Sequence, residues 1–328
     1  MKISLILTTY NGSKYIVPLI NSIFSQTRRP DEVLIFDDCS SDNTISLINK
    51  FIEENHLENT WKCEINSENK GYEKNFFDGM CLAKGDIVFF CDQDDIWYKN
   101  KISKCMEIFE SINNVSVLCT DNDFLIQKSG KKKSNNKKTL NLKKIYRHAP
   151  YSQNQIEKVE FSADNFYHKA SGCDIAIKKT YLDKIKQYWT VGFAQDEFTW
   201  KFALASNELY FYHILGLTRR IHENNTSRMN GKNKYRNRMG RIEHLGDIRF
   251  QLESLLLFCK DNNYEKSYDI LINKNIKCLK LRIEFLKRKN IFVFILLLFK
   301  YLGCYPRKLG IILDFLVAYF GGLLWKKH

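Results

Sequence analysis

Short apolar runs alternate with amphipathic segments through the first two thirds of the chain. Residues 3–7, 33–36 and 87–91 are almost entirely apolar, which is typical of strands that are buried on both faces of a sheet. A polar loop follows each run, and after the first loop apolar side chains recur at helical spacing across residues 16–24. The repeated order of strand, loop and helix predicts an α/β protein with a doubly wound, mainly parallel sheet.

Further strands are expected later in the same region. The pattern predicts strands at residues 61–65 and 115–120, and the polar residues 121–123 close the second of them. A short strand at 174–177 and a last strand at 207–217 come after a long polar stretch. The sheet is therefore expected to take strands from most of the first 220 residues.

After about Tyr235 the pattern changes to helices alone. This change predicts two domains, residues 1–235 and residues 236–328. Two apolar runs, at 292–299 and 311–324, fall short of the roughly 20 apolar residues that span a bilayer, since the second contains Asp314. A basic membrane-surface anchor, a bundle packed on the first domain and a homodimer interface all fit these helices. The expected helices are residues 242–259, 264–289, 291–301 and 309–325.

The apolar run at 87–91 breaks directly into Asp92, Gln93, Asp94 and Asp95. Carboxylates packed this closely raise one another's pKa unless a positive charge lies among them. A divalent cation supplies that charge, and Mg²⁺ prefers one or two carboxylates together with phosphate oxygens. A solvated turn that caps the following helix is the alternative. Because open α/β sheets bind ligands at the carboxyl ends of their strands, we expect a cation and phosphate site there.

Polar residues also follow the first two strands. Thr9, Tyr10 and Asn11 come after the first, and Asp38 belongs to a polar cluster at 37–44 after the second. Helix capping accounts for part of that cluster but not for paired acids at the end of a strand. A carboxylate in this position can accept a hydrogen bond from a ribose hydroxyl or a base N–H, as in other nucleotide-binding α/β folds.

Lysines mark two further loops. Lys70 and Lys74 lie around Gly71, where their ammonium groups are placed to reach a phosphate, although an ordinary surface turn explains them equally well. Residues 130–144 are rich in lysine and asparagine and have almost no apolar content. That segment is either a solvated basic loop or a contact with a phosphorylated acceptor or lipid headgroups.

Composition and charge narrow the class of protein. The 328 residues are 44% hydrophobic and 14% aromatic, as in globular proteins, and the net charge of +14 predicts an acidic partner. The aromatic residues form no recognisable base-stacking motif, so an anionic membrane surface or a phosphate-rich ligand is expected rather than nucleic acid. Ten cysteines without a Cys-x-x-Cys pair, and an N-terminus without signal-peptide features, predict free thiols and a cytoplasmic location.

Four motifs occur together in the first domain. They are Thr9-Tyr10-Asn11, Asp37-Asp38-x-Ser40-x-Asp42-x-Thr44, Asn69-Lys70-Gly71 and Asp92-Gln93-Asp94-Asp95-x-Trp97. In order and spacing they resemble family 2 glycosyltransferases with the GT-A fold, and the last motif is similar to the form in bacterial rhamnosyltransferases. The resemblance does not extend into the C-terminal helices. It implies a nucleoside-diphosphate sugar donor, linked to dTDP or UDP, and Mg²⁺ or Mn²⁺ as cofactor.

The resemblance also implies roles for individual residues. Asp196 matches the general base, Asp94 and His222 match metal ligands, and Arg220 begins an Arg-x-His-x-x-Asn segment, ending at Asn225, that is expected near the diphosphate. Relatives often carry His at the position of Gln195. The donor is expected to contact Thr9, Tyr10, Asn11, Asp38, Lys70, Lys74, Asp92, Gln93 and Arg220.

Ser171, Gly172 and Trp97 are expected on the acceptor side by the same resemblance. In this chain Asp174 replaces the apolar residue that usually continues the Ser-Gly-Cys segment, which is a departure from the pattern of the family. The resemblance implies an inverting, metal-dependent transfer of a sugar, such as rhamnose, to a hydroxyl of a glycan or lipid-linked glycan. The enzyme would then lie at the inner face of the cell membrane.

Two other classes of protein stay open at this point. A non-catalytic nucleotide-sugar sensor or membrane scaffold would keep the donor pocket, but it would have no need of Asp94 and Asp196. Nucleic-acid binding is suggested by net charge alone. Both are weaker hypotheses than the transferase.

Overall fold

The computed structural model describes residues 1–126, 154–167, 170–222, 225 and 237–321. Its contacts divide the chain into two units. The first unit consists of Met1–Gln187 and Ala194–His222, and the second consists of Tyr188–Phe193 and Glu223–His328. The lysine-rich segment at 130–144 lies outside the described residues.

A mixed sheet forms the centre of the first unit. Among the described residues it has nine strands, in the order β3-β2-β1-β4-β8-β6-β9-β5, and β7 pairs with β9. The strands are β1 Ile3–Thr9, β2 Glu32–Asp37, β3 Trp61–Ile65, β4 Ile87–Asp92, β5 Ile96–Trp97, β6 Val117–Ile126, β7 Ile156–Lys158, β8 Ile175–Lys178 and β9 Leu209–Ile221. The neighbouring strands β3, β2, β1 and β4 are all parallel, and β6 is parallel to β9. The predicted α/β architecture with a mostly parallel sheet is therefore confirmed.

The parallel half of the sheet brings polar residues to one edge. Thr9 on β1 lies opposite Asp37 on β2, and Thr8 lies opposite Asp92 on β4. Because these strands are parallel, the loops that follow them leave the sheet at the same edge. The interiors of the strands are apolar because both faces are covered, and Leu5, for example, is fully buried.

The direction of β8 could not be read from the sequence. This strand lies between β4 and β6 and is antiparallel to both, with Ala176 opposite Phe89. Its amino end therefore lies near the carboxyl end of β4. As a result, the 3₁₀ turn Gly172–Asp174, which comes directly before β8, is next to the acidic residues that follow β4.

Two strands extend farther than expected. The strand predicted at 115–120 continues through Asp121 to Ile126, with register shifts on both sides of Asp121. Its partner β9 runs to Ile221, beyond the predicted end at residue 217. Each strand supplies hydrogen-bond partners for the other, and a sequence pattern taken one segment at a time does not reveal such pairing. The longer β9 places Arg219 and Arg220 on a strand rather than in a loop.

Helices cover the faces of the sheet. They are α1 Ile16–Phe24, α2 Thr44–Glu54, α3 Tyr72–Leu82, α4 Lys101–Ser111, α5 Lys179–Ile185 and α6 Gln195–Ala205. In α1 the buried residues Ile16, Leu19, Ile20 and Ile23 recur at helical spacing and form one apolar face. Helix α6 begins at Gln195, so Asp196 lies in its first turn.

The second unit is helical, as the sequence predicted. Its helices are α7 Arg238–Asp261, α8 Lys266–Arg288, α9 Ile291–Lys300 and α10 Gly310–Phe320, and residues 322–325 of the last predicted helix lie outside the described part. The fully buried Asp314 of α10 forms ion pairs with Arg241 of α7 and Arg282 of α8. In the part of the chain that the structure describes, no helix has the length and apolar character needed to cross a bilayer.

Candidate active site

A buried carboxylate connects the loops that follow β1 and β2. The hydroxyl of Thr9 donates to Oδ2 of Asp37 at 2.7 Å, and Ser40 donates to the same carboxylate from its backbone N at 2.7 Å and from its hydroxyl at 2.6 Å. Thr9 is 2% exposed and Asp37 is fully buried. The hydroxyl of Thr9 therefore holds the loop that carries Asp38, and the donor contact of Thr9 stays a prediction.

Asn11 makes the second connection between these loops. Its backbone N donates to the hydroxyl of Ser40 at 2.8 Å, and its Oδ1 accepts from the backbone N of Ser41 at 2.9 Å. The φ of Asn11 is 47°, in the left-handed region that asparagine tolerates better than most residues. The predicted donor residue Asn11 thus lies at the expected edge and shapes the loop there.

Gln93 holds the backbone of Tyr10. Its Nε2 donates to the carbonyl oxygen of Tyr10 at 2.9 Å, and its Oε1 accepts from the backbone N of Tyr10 at 2.9 Å. A Cβ on Gly12 would lie 2.2 Å from Oε1 of Gln93, so a larger residue there would displace the Gln93 side chain. The ring of Tyr10 is 48% exposed at the carboxyl edge of the sheet, where a planar ligand has access to it.

Asp38 fixes the loop that contains the predicted phosphate-binding lysines. Its carboxylate accepts from the backbone N of Lys70 at 2.8 Å, from the backbone N of Gly71 at 2.9 Å and from Nδ2 of Asn66 at 3.0 Å. Gly71 has a φ of 84°, which favours glycine, so the turn predicted there is present. Asp38 therefore presents an ordered carboxylate at the edge of the sheet, next to Lys70.

The two lysines differ in their surroundings. The ammonium group of Lys70 donates to Oδ1 of Asn66 at 3.1 Å and stays close to the loop of Asp38. The ammonium group of Lys74 forms an ion pair with Asp78, one turn later on α3. Since its charge is partly neutralised, Lys74 is the weaker of the two predicted phosphate ligands.

Asp92, Asp94 and Asp95, here called the acid cluster, follow β4 as predicted. Burial, then the charge of Asp94, raises the pKa of Asp92 to about 7. Burial, then the charges of Asp94 and Asp92, raise the pKa of Asp95 well above its usual range. Asp95 is 1% exposed, and its Oδ2 has no hydrogen-bond partner among the described residues. The carboxyl groups of Asp92 and Asp95 thus lie in surroundings that favour their neutral forms.

The end of β9 lies against the acid cluster. Nε2 of His222 is 2.8 Å from Oδ2 of Asp94, and Nε of Arg220 donates to the carbonyl oxygen of Asp94 at 2.9 Å. The backbone N of Arg220 donates to Oδ1 of Asp95 at 3.1 Å. The structure therefore brings together the two predicted metal ligands and the predicted diphosphate ligand, although they are far apart in the sequence.

Tyr15 and Arg219 belong to the same site, and the sequence analysis did not select them. The ring of Tyr15 stacks on the ring of His222 with 4.5 Å between centroids, and the guanidinium carbon of Arg220 lies 5.2 Å from the centre of the Tyr15 ring. The charge of Arg219 lowers the pKa of both Asp92 and Asp95. Adjacent residues of a strand point to opposite faces, so an Arg-Arg pair at a strand end signals two separate contacts.

The predicted acceptor segment lies against the predicted general base. A Cβ on Gly172 would be 2.4 Å from Nε2 of Gln195 and 3.8 Å from Cβ of Asp196, so the backbone at Gly172 closely approaches the start of α6. Oδ1 of Asp196 accepts from the backbone N of Glu197 at 2.7 Å. The charge of Asp196 raises the pKa of Asp92, which means that the two carboxylates interact electrostatically.

Asp174 is buried beside this segment, at 1% exposure. Burial raises the pKa of Asp174 to about 6, against the opposing effects of Lys101 and of a hydrogen bond from Asn122. Its Oδ1 has no hydrogen-bond partner among the described residues. The departure at this position therefore adds a buried carboxyl group behind Ser171 rather than a surface residue.

Trp97, which was predicted on the acceptor side, lies in the interior of the first unit. It is 3% exposed and packs in the hydrophobic core of the first unit, with its ring 6.0 Å from that of Phe89. The ammonium group of Lys101 lies 3.7 Å from the centre of its ring. The pairing of β5 with β9 turns this side chain inward, so any contact of Trp97 with the acceptor stays a prediction that its burial does not favour.

The acid cluster has the chemistry of a divalent-cation site. Asp92 and Asp95 form a group with Cys173 whose potential ligand atoms lie within 4.8 Å of one another. Burial raises the pKa of the Cys173 thiol well above its usual range, so the thiol stays protonated and is a poor ligand. Carboxylate oxygens suit Mg²⁺ and Mn²⁺, and the unpartnered oxygen of Asp95 has room for a further contact. The residues therefore fit such a cation.

Solved structures with a similar fold include two sugar transferases. A structure of residues 1–349 of Staphylococcus aureus TarS in complex with UDP-GlcNAc has a TM-score of 0.58 and 18% sequence identity, and the match covers 97% of this chain and 81% of that chain. The mannosyltransferase PcManGT of Pyrobaculum calidifontis, in complex with GDP-Man and Mn²⁺, has a TM-score of 0.51 and 15% identity, with 100% and 88% covered. At these identities the likeness shows the fold alone, which is the GT-A fold.

Sequence comparisons identify the family. An uncharacterised glycosyltransferase of Nostoc sp. is 35% identical over 118 residues, which are 36% of this chain and 36% of that protein. The dTDP-rhamnosyl transferase RfbG of Shigella flexneri is 30% identical over 195 residues, or 56% of this chain and 57% of that protein. The chain thus matches about a third and just over half of the lengths of these two relatives. The model of glycosyl transferase family 2 matches residues 4–172, more than half of the chain, and the protein therefore belongs to that family of glycosyltransferases.

Proposed function

We propose that this glycosyltransferase moves a sugar from a nucleoside diphosphate to a hydroxyl of a cell-surface glycan intermediate, with inversion at the anomeric carbon. The observation that carries the proposal is the meeting of three features at one edge of the sheet. The acid cluster, the start of α6 with Asp196, and the segment Ser171 and Gly172 lie together there. A site for a cation that holds the donor diphosphate, a base for the acceptor hydroxyl and a closely packed backbone suit the transfer of a sugar between two bound molecules.

The donor nucleoside is proposed to lie on the edge formed by β1 and β2. The exposed ring of Tyr10 offers a surface for the base, and the ordered carboxylate of Asp38 is an acceptor for a base N–H or a ribose hydroxyl. Lys70 adds a positive charge for the phosphates, with Lys74 farther along the same loop and helix. Thr9, Asn11 and Gln93 act as positioning residues, because their side chains hold these loops.

A divalent cation, Mg²⁺ or Mn²⁺, is proposed to bind at Asp94 and His222, with Asp92 and Asp95 beside them. When bound, such a cation supplies positive charge next to the departing diphosphate. The guanidinium of Arg220 is suited to the same diphosphate, since it can pair with two phosphate oxygens. Its backbone N and Nε are held by Asp95 and Asp94, so the side chain needs little reorganisation when the donor binds.

Asp196 is proposed to be the general base. Its carboxylate takes the proton from the acceptor hydroxyl while the oxygen attacks the anomeric carbon and the bond to the diphosphate breaks. A single displacement from the opposite face inverts the anomeric centre, so no carboxylate nucleophile is needed. General-base assistance of this kind contributes about 10²- to 10⁴-fold to the rate.

The donor sugar is proposed to be rhamnose carried on dTDP, with UDP-linked sugars as the alternative. The similarity to the rhamnosyl transferase of Shigella flexneri supports the first, and the likeness of fold to a transferase that binds UDP-GlcNAc is compatible with the second. The proposed acceptor is a glycan or a lipid-linked glycan at the inner face of the cell membrane. The basic second unit would bring the enzyme to that surface or, as the alternative, form a homodimer through its helices.

Calorimetry of dTDP and UDP binding, with and without Mg²⁺ or Mn²⁺, tests the donor site. We expect tight binding of one nucleotide only when the cation is present, and loss of that binding in Asp94→Ala. Asp164→Ala is the matched control, because it removes an exposed carboxylate from a turn of the same unit and should leave binding unchanged. Failure of the wild-type chain to bind either nucleotide, or equal binding by the Asp94 variant, would contradict the proposal.

The transfer step needs its own test, because a non-catalytic sensor would pass the binding test. A chain that binds dTDP-rhamnose or a UDP-sugar with the cation but never releases the nucleoside diphosphate, with membrane-extracted glycan lipids as acceptor, would be such a sensor. We expect release of the nucleoside diphosphate and a labelled sugar in the lipid fraction. Product of inverted configuration, measured by NMR, supports the single displacement.

A further inference from the structure

Helix α9 is apolar on both sides, although only one side packs against the second unit. On the inner side the ring of Phe294 lies 5.1 Å from the rings of Phe285 and Phe315. The other side carries four large apolar side chains that remain exposed, here called the outer stripe. They are Phe292 at 77%, Ile295 at 44%, Leu296 at 40% and Phe299 at 83% exposure. Their spacing of three and four residues places them along one face of the helix.

A basic cleft adjoins this stripe. The cleft has a volume of about 470 Å³, and Lys274 and Lys277 of α8, Lys300 at the end of α9 and the buried Tyr301 line it, with Asp269 as its acidic residue. Lys300 follows Phe299 directly and lies one turn after Leu296, so the stripe leads into the cleft. None of the three lysines forms an ion pair with another described residue, whereas Lys280 on the same helix pairs with Glu253 at 3.5 Å.

The surrounding charge selects one kind of occupant. Residues 237–321 contain fifteen lysines and arginines but eight aspartates and glutamates. A second copy of the chain, packed through the same face about a two-fold axis, would bring these cationic rims together at an energetic cost. A bilayer with anionic phospholipids accepts the apolar stripe and attracts the lysines, whose long stems let the ammonium groups reach the headgroups.

We propose that the outer stripe and the basic cleft form one lipid-binding site for the surface of an anionic phospholipid bilayer. The outer stripe enters the boundary between headgroups and acyl chains. The lysines line the cleft with their carbon stems, and their ammonium groups hold the phosphate of one lipid headgroup. The buried ion pairs of Asp314 keep α10 attached to α7 and α8, so the bundle stays folded while α9 leaves water. This assignment rests on the proposed role of the second unit at the membrane and gives it a location.

Co-sedimentation of the full chain with vesicles tests the site. We expect binding to vesicles of mixed phosphatidylglycerol and phosphatidylcholine, much weaker binding to phosphatidylcholine alone, and weakening as salt is raised. Replacing Lys274→Gln and Lys277→Gln together should weaken binding to the mixed vesicles roughly 30-fold. Replacing Phe292→Ser and Phe299→Ser should abolish it at the same lipid concentration.

Matched controls distinguish binding through this site from binding through any exposed lysine or phenylalanine. Lys280→Gln removes one exposed lysine of α8 that already has an ion-pair partner, and Phe250→Ser removes an exposed phenylalanine of α7. Both should bind vesicles nearly as the wild type does. If the double variant of Lys274 and Lys277 binds vesicles as well as Lys280→Gln does, the cleft has no role in binding. If the double variant of Phe292 and Phe299 binds as well as Phe250→Ser does, the outer stripe has no role.

Two other results would show that this surface binds something other than a bilayer. If the phenylalanine variants change the molecular mass measured by light scattering and not vesicle binding, the outer stripe is an interface between copies of the chain. If inorganic phosphate protects the lysines from chemical labelling while vesicles do not, the cleft binds a soluble anion. We expect nucleotide binding, measured by calorimetry on every variant, to stay unchanged. A negative result for lipid binding can therefore be distinguished from a negative result for the proposed donor site.

Discussion

Nε2 of His222 lies 2.8 Å from Oδ2 of Asp94, although 128 residues separate the two in the sequence. The imidazole does not depend on this contact alone, because its other face stacks on Tyr15 at 4.5 Å between centroids. The centre of the Tyr15 ring also lies 5.2 Å from the guanidinium carbon of Arg220. Tyr15 is therefore the shared support of two side chains that face the acid cluster.

Replacing Tyr15→Ala should weaken cation-dependent nucleotide binding. Residues that orient metal ligands typically account for about 10- to 100-fold in metal affinity, and the variant frees both His222 and Arg220. Calorimetry with Mn²⁺ and the preferred nucleotide measures the effect. Tyr15→Phe is the control, since it keeps the aromatic stacking and should retain most of the affinity. Wild-type affinity in the alanine variant would mean that the stack has no role in binding.

Gly12 and Gln93 offer a test of the loop that carries Tyr10. A Cβ at Gly12 would lie 2.2 Å from Oε1 of Gln93, so Gly12→Ala should force that side chain away from the backbone of Tyr10. We expect the free energy of unfolding to fall by about 1–3 kcal/mol, as for other overpacked sites. In the double variant with Gln93→Ala the clash is gone, so the two effects should not add. Additive losses in urea denaturation would contradict this account.

The pattern of apolar residues was sufficient to predict the strands in the parallel half of the sheet. Strands β1, β2 and β4 were predicted nearly to the residue, because both of their faces are covered and their sequences are apolar throughout. The acid cluster was predicted at the correct edge for the same reason, since polar residues after a buried strand must leave the sheet where the strand ends. The helical C-terminal region was also predicted from the sequence, whereas the role of Asp196 stays a prediction.

The remaining parts of the site depend on contacts between distant segments. Strands β5 and β7 have two and three residues, too few to show any periodicity, and the antiparallel direction of β8 leaves no mark in its composition. Trp97 was assigned to the acceptor side because it follows the acidic motif, but its pairing across β9 turns it into the core. The stacking of Tyr15 on His222 likewise appears only in the folded chain.

Asp174 should give the unfolding free energy a specific pH dependence. Burial raises the pKa of Asp174 to about 6, whereas its usual value is 3.8. Below about pH 3 the carboxyl is protonated in both the folded and the unfolded state, so it has no effect. As the pH rises from 4 to 7 the unfolded chain loses its proton first, and the folded state is progressively destabilised, by on the order of 3 kcal/mol.

The measurement compares wild type with Asp174→Asn in urea at several pH values. The variant keeps a neutral side chain of similar size beside Asn122, so it should be the more stable protein at pH 7 and should lose its advantage toward pH 4. The difference between the two proteins isolates this carboxyl from the other groups that titrate. A constant difference across the range would show that Asp174 does not titrate between pH 4 and 7.

Asp196→Asn should separate binding from transfer. The amide keeps the size of the side chain and can still accept from the backbone N of Glu197, but it cannot take the proton of the acceptor hydroxyl. We expect nucleotide affinity close to that of wild type and a fall in kcat of about 10²- to 10⁴-fold. Glu197→Gln, in the same turn of α6, is the control and should keep transfer activity. Loss of binding together with transfer would assign Asp196 to the donor site instead.

Asp314 tests whether the apolar sequence of α10 belongs to a folded bundle. Its fully buried carboxylate accepts from Nε of Arg282 at 2.7 Å and from the hydroxyl of Tyr305 at 3.0 Å, and it also pairs with Arg241. Replacing Asp314→Ala leaves two buried guanidinium groups without their common partner. The free energy of unfolding of the second unit should therefore fall by about 3–5 kcal/mol.

Glu253 is the matched control for that change, because its pairs with Arg249 at 3.9 Å and Lys280 at 3.5 Å are at the surface. Glu253→Ala should cost about 0–1 kcal/mol. Thermal unfolding followed by circular dichroism at 222 nm reports on the helices of both units, and the part of the transition that belongs to the second unit should move to lower temperature. If both variants unfold at the same temperature, α10 does not depend on the ion pairs of Asp314, and the bundle would not hold α10 in place when α9 enters a membrane surface.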